Sequence, residues 1–261
     1  MKIKTRLIFI IIISILLLIV YSCKDAATNP EGQDNGNYYP VSIGNSYKYS
    51  ITQTDSAGGI TTGTRYVNYI GDTLLNLQSP TSFTIQYDSV ETGSTTSGNY
   101  SFFRKSNFGI FYYVDTSQVS SLVPDSLRDF VTLQQETRLV FLPIKNSFWY
   151  VYTILVQLPN NLTFKPIEMS GTYTNTENVQ LQLTAGTSTV EALKVRYELK
   201  IISDITAPAQ YFTAFGWFSK GIGLVKLEGD GPILDALISG ELNLDDSTST
   251  FSQELVDYQI E

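Results

Sequence analysis

The chain has 261 residues, with 17 lysines and arginines against 25 aspartates and glutamates, one cysteine and no histidine. The missing histidine removes the commonest general base, the commonest transition-metal ligand and the Ser-His-Asp triad. A single cysteine excludes an intramolecular disulfide and a thiolate metal cluster. With the first 22 residues set aside, 14 basic residues face 25 acidic ones, a net charge of −11 that argues against nucleic acid or anionic headgroups as partners.

Lys2, Lys4 and Arg6 open the chain, and Leu7 to Val20 form an apolar run broken by Ser14. That run is short of the roughly 20 residues a bilayer span needs and suits the core of a signal peptide. It closes on Val20-Tyr21-Ser22-Cys23, which resembles the lipobox of bacterial lipoproteins; Tyr21 is bulkier than the pattern. The resemblance implies cleavage between Ser22 and Cys23, with diacylglycerol on the Cys23 thiol and palmitate-type acyl chains as the anchor. At about 0.8 kcal/mol per buried methylene, two or more chains hold a protein on a membrane that it does not span. Lys24 follows the cysteine where an Asp would resemble an inner-membrane retention signal, so the outer membrane is expected. The organisation predicted is a signal peptide over 1–22, an acylated Cys23 with a disordered tether over 23–37, and a β domain over 38–261.

Period-two alternation then dominates, the mark of half-buried strands. Tyr47, Tyr49 and Ile51 alternate with Lys48, Ser50 and Thr52, and Phe83, Ile85 and Tyr87 alternate with Thr84, Gln86 and Asp88. Val179, Leu181 and Leu183 form a third apolar face, and Leu193, Val195, Tyr197, Leu199 and Ile201 the longest. Tyr211, Thr213, Phe215 and Trp217 follow, and Ile233–Leu244 and Leu255–Ile260 are expected as late strands. Turn chemistry separates the runs at Ser56-Ala57-Gly58-Gly59, Thr92-Gly93-Ser94, Pro159-Asn160-Asn161, Ala185-Gly186-Thr187 and Gly229-Asp230-Gly231-Pro232. The one helix predicted spans Pro124–Val131, with proline at its start. Long strands with one apolar and one polar face predict an all-β fold: a strongly curved antiparallel sheet, forming a half-barrel or open barrel. Pro40-Val41 before Asn45-Ser46-Tyr47-Lys48-Tyr49 parallels Pro143-Ile144 before Asn146-Ser147-Phe148-Trp149-Tyr150, so two similar halves, 38–140 and 141–261, and chance recurrence are both open readings.

Tyr39-Pro40-Val41-Ser42-Ile43-Gly44-Asn45-Ser46-Tyr47-Lys48-Tyr49 resembles the opening of the mature domain in uncharacterised Gram-negative lipoproteins, with Tyr47 where those usually have tryptophan. Lys220-Gly221-Ile222-Gly223-Leu224-Val225-Lys226 resembles a segment near their ends. The group is similar in pattern to curled-sheet envelope proteins, including Lol-type carriers of lipoproteins. What this implies is a half-barrel with an apolar concave face and no catalytic residue.

Gly221-x-Gly223 lacks the third glycine and following helix of a dinucleotide loop, and Asp34-Asn35-Gly36-Asn37 and Asp245-Asp246 lack calcium-loop spacing. No metal or other cofactor is expected, and no enzyme activity. Asn161-Leu162-Thr163 fits an N-glycosylation sequon. Asp55-Ser56-Ala57, Asp72-Thr73-Leu74, Asp88-Ser89-Val90, Asp125-Ser126-Leu127 and Asp246-Ser247-Thr248 resemble an O-glycosylation motif of exported proteins and are also ordinary turn chemistry. Tyr66, Phe102, Tyr112, Trp149, Phe215 and Trp217 are the aromatic residues expected to line a groove on the concave face. Two functions follow. A lipid or other hydrophobic ligand on that face would make the protein a carrier; an envelope protein partner on an exposed edge or aromatic patch would make it a structural or assembly subunit. A deep apolar pocket favours the first, and a filled interior with a flat apolar outer patch favours the second.

Overall fold

The computed structural model describes residues 37–106, 109–114, 130–140, 148–157, 162–202, 208–238 and 246–261. The signal peptide, Cys23 and the tether up to residue 36 lie outside these, as do Asp125, Pro143-Ile144, Asn161 and residues 124–129 of the expected helix.

In chain order the strands are β1 (Ser46–Thr54), β2 (Ile60–Asn76), β3 (Pro80–Thr92), β4 (Thr95–Ser106), β5 (Gly109–Tyr113), β6 (Val131–Thr132) and β7 (Glu136–Val140). They continue as β8 (Phe148–Gln157), β9 (Thr163–Leu183), β10 (Gly186–Ile201), β11 (Gln210–Ser219), β12 (Gly223–Asp230) and β13 (Thr250–Gln259), with one helix, α1 (Gly231–Ile238), between the last two. All thirteen form one antiparallel sheet in the order β6-β8-β9-β10-β11-β12-β13-β1-β2-β3-β4-β5-β7, which is not closed into a ladder. This is the curved, open all-β sheet that the alternation predicts.

Near-neighbour hairpins build most of it, and three of the marked turns, Ser56–Gly59, Thr92–Ser94 and Ala185–Thr187, join them; at Gly229–Pro232 strand β12 runs directly into helix α1 instead, and Pro159–Asn161 lies outside the described residues. At the β1–β2 turn the Asp55 carboxylate accepts from the backbone N–H groups of Ala57 and Gly59, an Asx turn. Gly93 and Gly186 take positive φ in the β3–β4 and β9–β10 turns.

The core face of β10 is the predicted one, with Leu193, Val195, Tyr197, Leu199 and Ile201 all buried. Its neighbour β9 crosses close beneath Trp149 of β8. A Cβ on Gly171 would stand 2.3 Å from Trp149 Cζ2, so only glycine admits the indole there. The same tryptophan helps to close the curl. Its Nε1 donates to Arg138 O at 3.1 Å, and Tyr197 OH donates to Leu139 O at 3.2 Å. Side chains of β8 and β10 thus satisfy carbonyls of the terminal strand β7, where no strand ladder does.

Three expectations need correction. Residues 231–238 form a helix, although Ile233–Leu244 reads as a strand. Pro232 sits in the first turn, where the missing N–H costs nothing. Ile233 and Leu237, four residues apart, share one face; Ile233 is fully buried and Leu237 lines the interior. Val131, the end of the predicted helix, belongs to β6. Finally, β3 and β11 present to the core the face opposite to the one their alternation suggests. On β3, Gln86 and Asp88 are buried on the core side. On β11, Phe212, Ala214, Gly216 and Phe218 face the core, leaving Tyr211, Phe215 and Trp217 outside.

Candidate functional site

The inverted face of β3 places charge inside the sheet. Arg65 on β2 is directed inward between Tyr49 and Asp88. Its Nε donates to both Asp88 oxygens at 2.9 Å, its Nη2 donates to Asp88 Oδ2, and its Nη1 donates to Gln253 Oε1 at 2.8 Å. Gln86 Nε2 adds a long contact of 3.4 Å to Asp88. The ion pair is almost sealed, with side chains 7% and 7% exposed. Burial opposes the guanidinium charge, and the Asp88 carboxylate more than offsets it, leaving the Arg65 pKa above its ordinary value. Tyr39, Tyr49, Tyr69 and Tyr197 around this interior are held neutral, because burial raises each hydroxyl's pKa.

Two small cavities flank Arg65, of about 30 and 40 Å³, and Tyr39, Gln86 and Leu224 line both with it. Each has room for only a few waters, at roughly 10–15 Å³ apiece. Ligand pockets for lipid- or drug-sized molecules span about 300–1,000 Å³. Rings fill the rest: Tyr39 packs at 6.0 Å from Phe103 and 6.1 Å from Phe218, and Trp149 at 5.2 Å from Tyr173.

A second constellation stands on the outer face. Trp217 is covered from outside, with Lys194 Nζ at 4.7 Å and Lys226 Nζ at 5.1 Å from its ring centre and its Nε1 donating to Glu177 Oε2 at 2.8 Å. That bond, with those from Asn175 and Lys194, lowers the Glu177 pKa to about 2. Lys194 also lies 4.8 Å from the Phe215 ring.

The six aromatic residues expected to share one groove therefore divide between two faces. Trp149 and Tyr112 lie on the core face, Tyr112 at 5.3 Å from Phe103. Tyr66, Phe102, Phe215 and Trp217 point the other way: Tyr66 meets Lys48 at 5.6 Å, and Phe102 meets Tyr113 at 6.1 Å. They do not converge on a single groove.

The residues that do converge are Tyr39, Arg65, Gln86, Asp88 and Gln253, of which the sequence marks only Tyr39, in the segment opening the domain, and Asp88, in a glycosylation-like triplet, and neither as part of a site. Gln86 and Asp88 sit on the polar side of an alternating strand, which reads as solvent-facing. The signal that could have found them is Arg65, flanked on β2 by Val67 and Tyr69 at core spacing.

Among the described residues, Asp88 is the sole buried carboxylate, and no group of three His, Cys, Asp or Glu side chains could hold a metal ion. With both Asp88 oxygens committed to Arg65, the cluster offers hydrogen-bond donors.

Exposed aromatic rings stand on several strands, Tyr211 on β11 and Tyr100 on β4 among them, and two stand side by side on β8. Phe148 and Tyr150 are 57% and 53% exposed on the outer face, with ring centres 5.1 Å apart, and Lys165 Nζ lies 5.0 Å from the Tyr150 ring. In register beside them run Thr172 and Ser170 of β9, then the Arg196–Glu198 ion pair of β10.

No protein family matches the chain, and no curated protein matches it. Solved structures with similar folds include a protein from Bacteroides fragilis described as exported and YmcC-like in fold, 12% identical over 85% of this chain and 98% of that one, TM-score 0.44. Another is described as a lipoprotein from Parabacteroides distasonis, 13% identical over 87% of this chain and 100% of that one, TM-score 0.42. The hypothetical lipoprotein YmcC from Escherichia coli is 12% identical over 82% of this chain and 86% of its own, TM-score 0.33.

Proposed function

We propose that this chain is a non-enzymatic lipoprotein of the cell envelope, anchored in the outer membrane through Cys23, whose β domain serves as a structural or assembly subunit. The observation that carries the reading is the filled interior. Of the described cavities, the two beside Arg65 measure only about 30 and 40 Å³, and the one of ligand size, about 560 Å³, is an open recess between Leu77–Thr81 and Leu133–Glu136 whose lining is mostly polar. The outer face of β8–β10 supplies what a partner surface requires instead: two exposed rings, an arginine paired to glutamate, and small hydroxyl side chains between them. Aromatic residues and arginine are enriched where protein surfaces meet.

The test is site-specific photocrosslinking in intact cells of the source organism. A photoreactive phenylalanine analogue at position 148 or 150 is expected to trap one discrete envelope protein. The same analogue at the exposed Leu74 or Ile60 is expected to trap none. Phe148→Ser combined with the analogue at 150 is expected to lose the adduct. Equal labelling from all four positions, or a lipid mass co-purifying with wild-type protein in native mass spectrometry, would overturn the reading.

A further inference from the structure

The way the tether enters the domain carries a second, independent proposal. Residues 37–41 precede β1 and belong to no strand. Yet Tyr38 and Pro40 are buried, and Tyr39 lines both cavities beside Arg65. Hydrogen bonds reach this segment's backbone from Gly221 N to Asn37 O at 2.8 Å and from Tyr47 OH to Pro40 O at 3.3 Å. Lys105 reaches the Asn37 side chain. Withdrawing the segment breaks no strand ladder. Tyr39 walls both cavities together with Arg65, Gln86 and Leu224, and its departure would enlarge the space beside them into a chamber.

The chamber's chemistry is divided. One part is polar and rich in donors. A guanidinium has five N–H groups, and those of Arg65 beyond its bonds to Asp88 and Gln253 leave one on each Nη. Behind that lining, Gln253 Nε2 and Ser101 Oγ are buried without a partner, Gln253 bonded through its Oε1 to Arg65 and Ser101 lying directly across from Gln86 in the β3–β4 register. A buried unsatisfied donor is costly, so an acceptor placed there is favoured. The other part is apolar, walled by Phe103, Leu139, Phe218, Leu224, Leu227 and Leu237.

We propose that Tyr38–Pro40 is an intramolecular plug occupying a latent binding site, and that the site takes an amphipathic molecule with one apolar chain and a hydrogen-bond-accepting head received by Arg65 and Gln86. The plug continues directly into the lipid-anchored tether, so displacement of the tether root opens the site. The tyrosine hydroxyl of the plug stands where the ligand's head would approach the donor cluster. A cationic head is disfavoured, because it meets the Arg65 guanidinium, whose N–H groups can accept nothing from it.

The experiment uses the full lipoprotein in its own membranes, with a photoreactive dodecanoate and the matching dodecylamine as probes. If the plugged state hides the site in all but a minor population, of order 0.1–10%, removing the plug raises apparent affinity by about ten-fold or more. Tyr39→Ala and the milder Tyr39→Leu are therefore expected to show about ten-fold greater labelling by dodecanoate than wild type. The label should map to the peptides around Phe103 and Leu224–Leu227, and excess dodecanoate should compete it away. Dodecylamine is expected to leave those peptides unlabelled in every variant. Folded variants labelled no more than wild type, or labelled equally by the amine, would overturn the proposal. So would failure of both variants to fold, which would make Tyr39 an integral part of the core and not a removable plug.

Discussion

The sheet carries two mixed clusters of charge and aromatic rings, one on each face, and they are built in opposite senses. Inside, Arg65 and Asp88 are sealed among tyrosines. Outside, Trp217 is sealed by the charged side chains of Lys194, Lys226 and Glu177. In the first, rings exclude water from a salt bridge; in the second, a salt-bridge network excludes water from a ring. The energetic consequences differ. A buried ion pair sacrifices hydration that its mutual attraction scarcely recovers, so it is costly to break and cheap to replace as a unit. An outer pair keeps much of its hydration, so its contribution is small and screened by salt. The alkyl stems of the lysines also cover Trp217, independently of their charge.

The sharpest way to break this comparison is Asp88→Asn, which strands the Arg65 charge in the interior. It is expected to cost about 3–5 kcal/mol, lowering the melting temperature by about 2–4 °C per kcal/mol for a domain of this size. Replacing both partners, with Arg65→Met and Asp88→Leu, is expected to recover most of that loss in thermal denaturation. A double variant no more stable than Asp88→Asn would mean that the pair contributes net stability.

The two tryptophans sharpen the contrast next. Both are 4% exposed, but Trp149 is enclosed by backbone and Trp217 by flexible side chains. Gly171→Ala drives a Cβ to 2.3 Å from the Trp149 ring and is expected to cost about 1–3 kcal/mol by overpacking. Trp149 fluorescence should shift with it. Lys194→Met, beside Trp217, keeps the covering stem and is expected to cost under about 1 kcal/mol in denaturant titration.

Glu177 gives an effect of similar small size, with a pH signature. Its pKa is lowered from 4.5 to about 2 in the folded protein, so folding favours its charged form. That stability is fully present above the unfolded value near 4.5 and disappears as pH falls through about 2. Glu177→Gln is expected to cost about 1 kcal/mol at neutral pH, allowing for solvent screening. The difference from wild type should close between pH 4.5 and pH 2 in urea titrations and narrow in 1 M salt, where the screening length is about 3 Å. A gap that persists at pH 2 would assign the effect to the amide itself.

Much of the fold was legible because alternation reports strand and turn without knowledge of neighbours. Leu193 to Ile201 is apolar on one side and charged on the other, so its core face follows at once. The hidden parts share a physical cause. In β3, Phe83, Ile85 and Tyr87 oppose Thr84, Gln86 and Asp88, and the apolar set was read as the core face. Arg65, whose partner lies 23 residues away, is what makes the polar set the inner one. In β11 both sets are apolar enough to face inward, and alternation cannot choose between them. Helix α1 was missed for a related reason: Ile233, Leu234, Leu237 and Ile238 fit a buried strand as well as a short helix. Only the packing of Ile233 against the core decides.

By itself, then, the sequence determined the class of the fold, three of its hairpin turns and the long core face of β10. Each rests on local chemistry: backbone preference, period and spacing. Only the tertiary structure decided which face of β3 and β11 turns inward, that a salt bridge lies beneath the aromatic layer, and that the root of the tether fills the interior. Those depend on partners distant in the chain, because a side chain's burial is set by what the curled sheet brings over it.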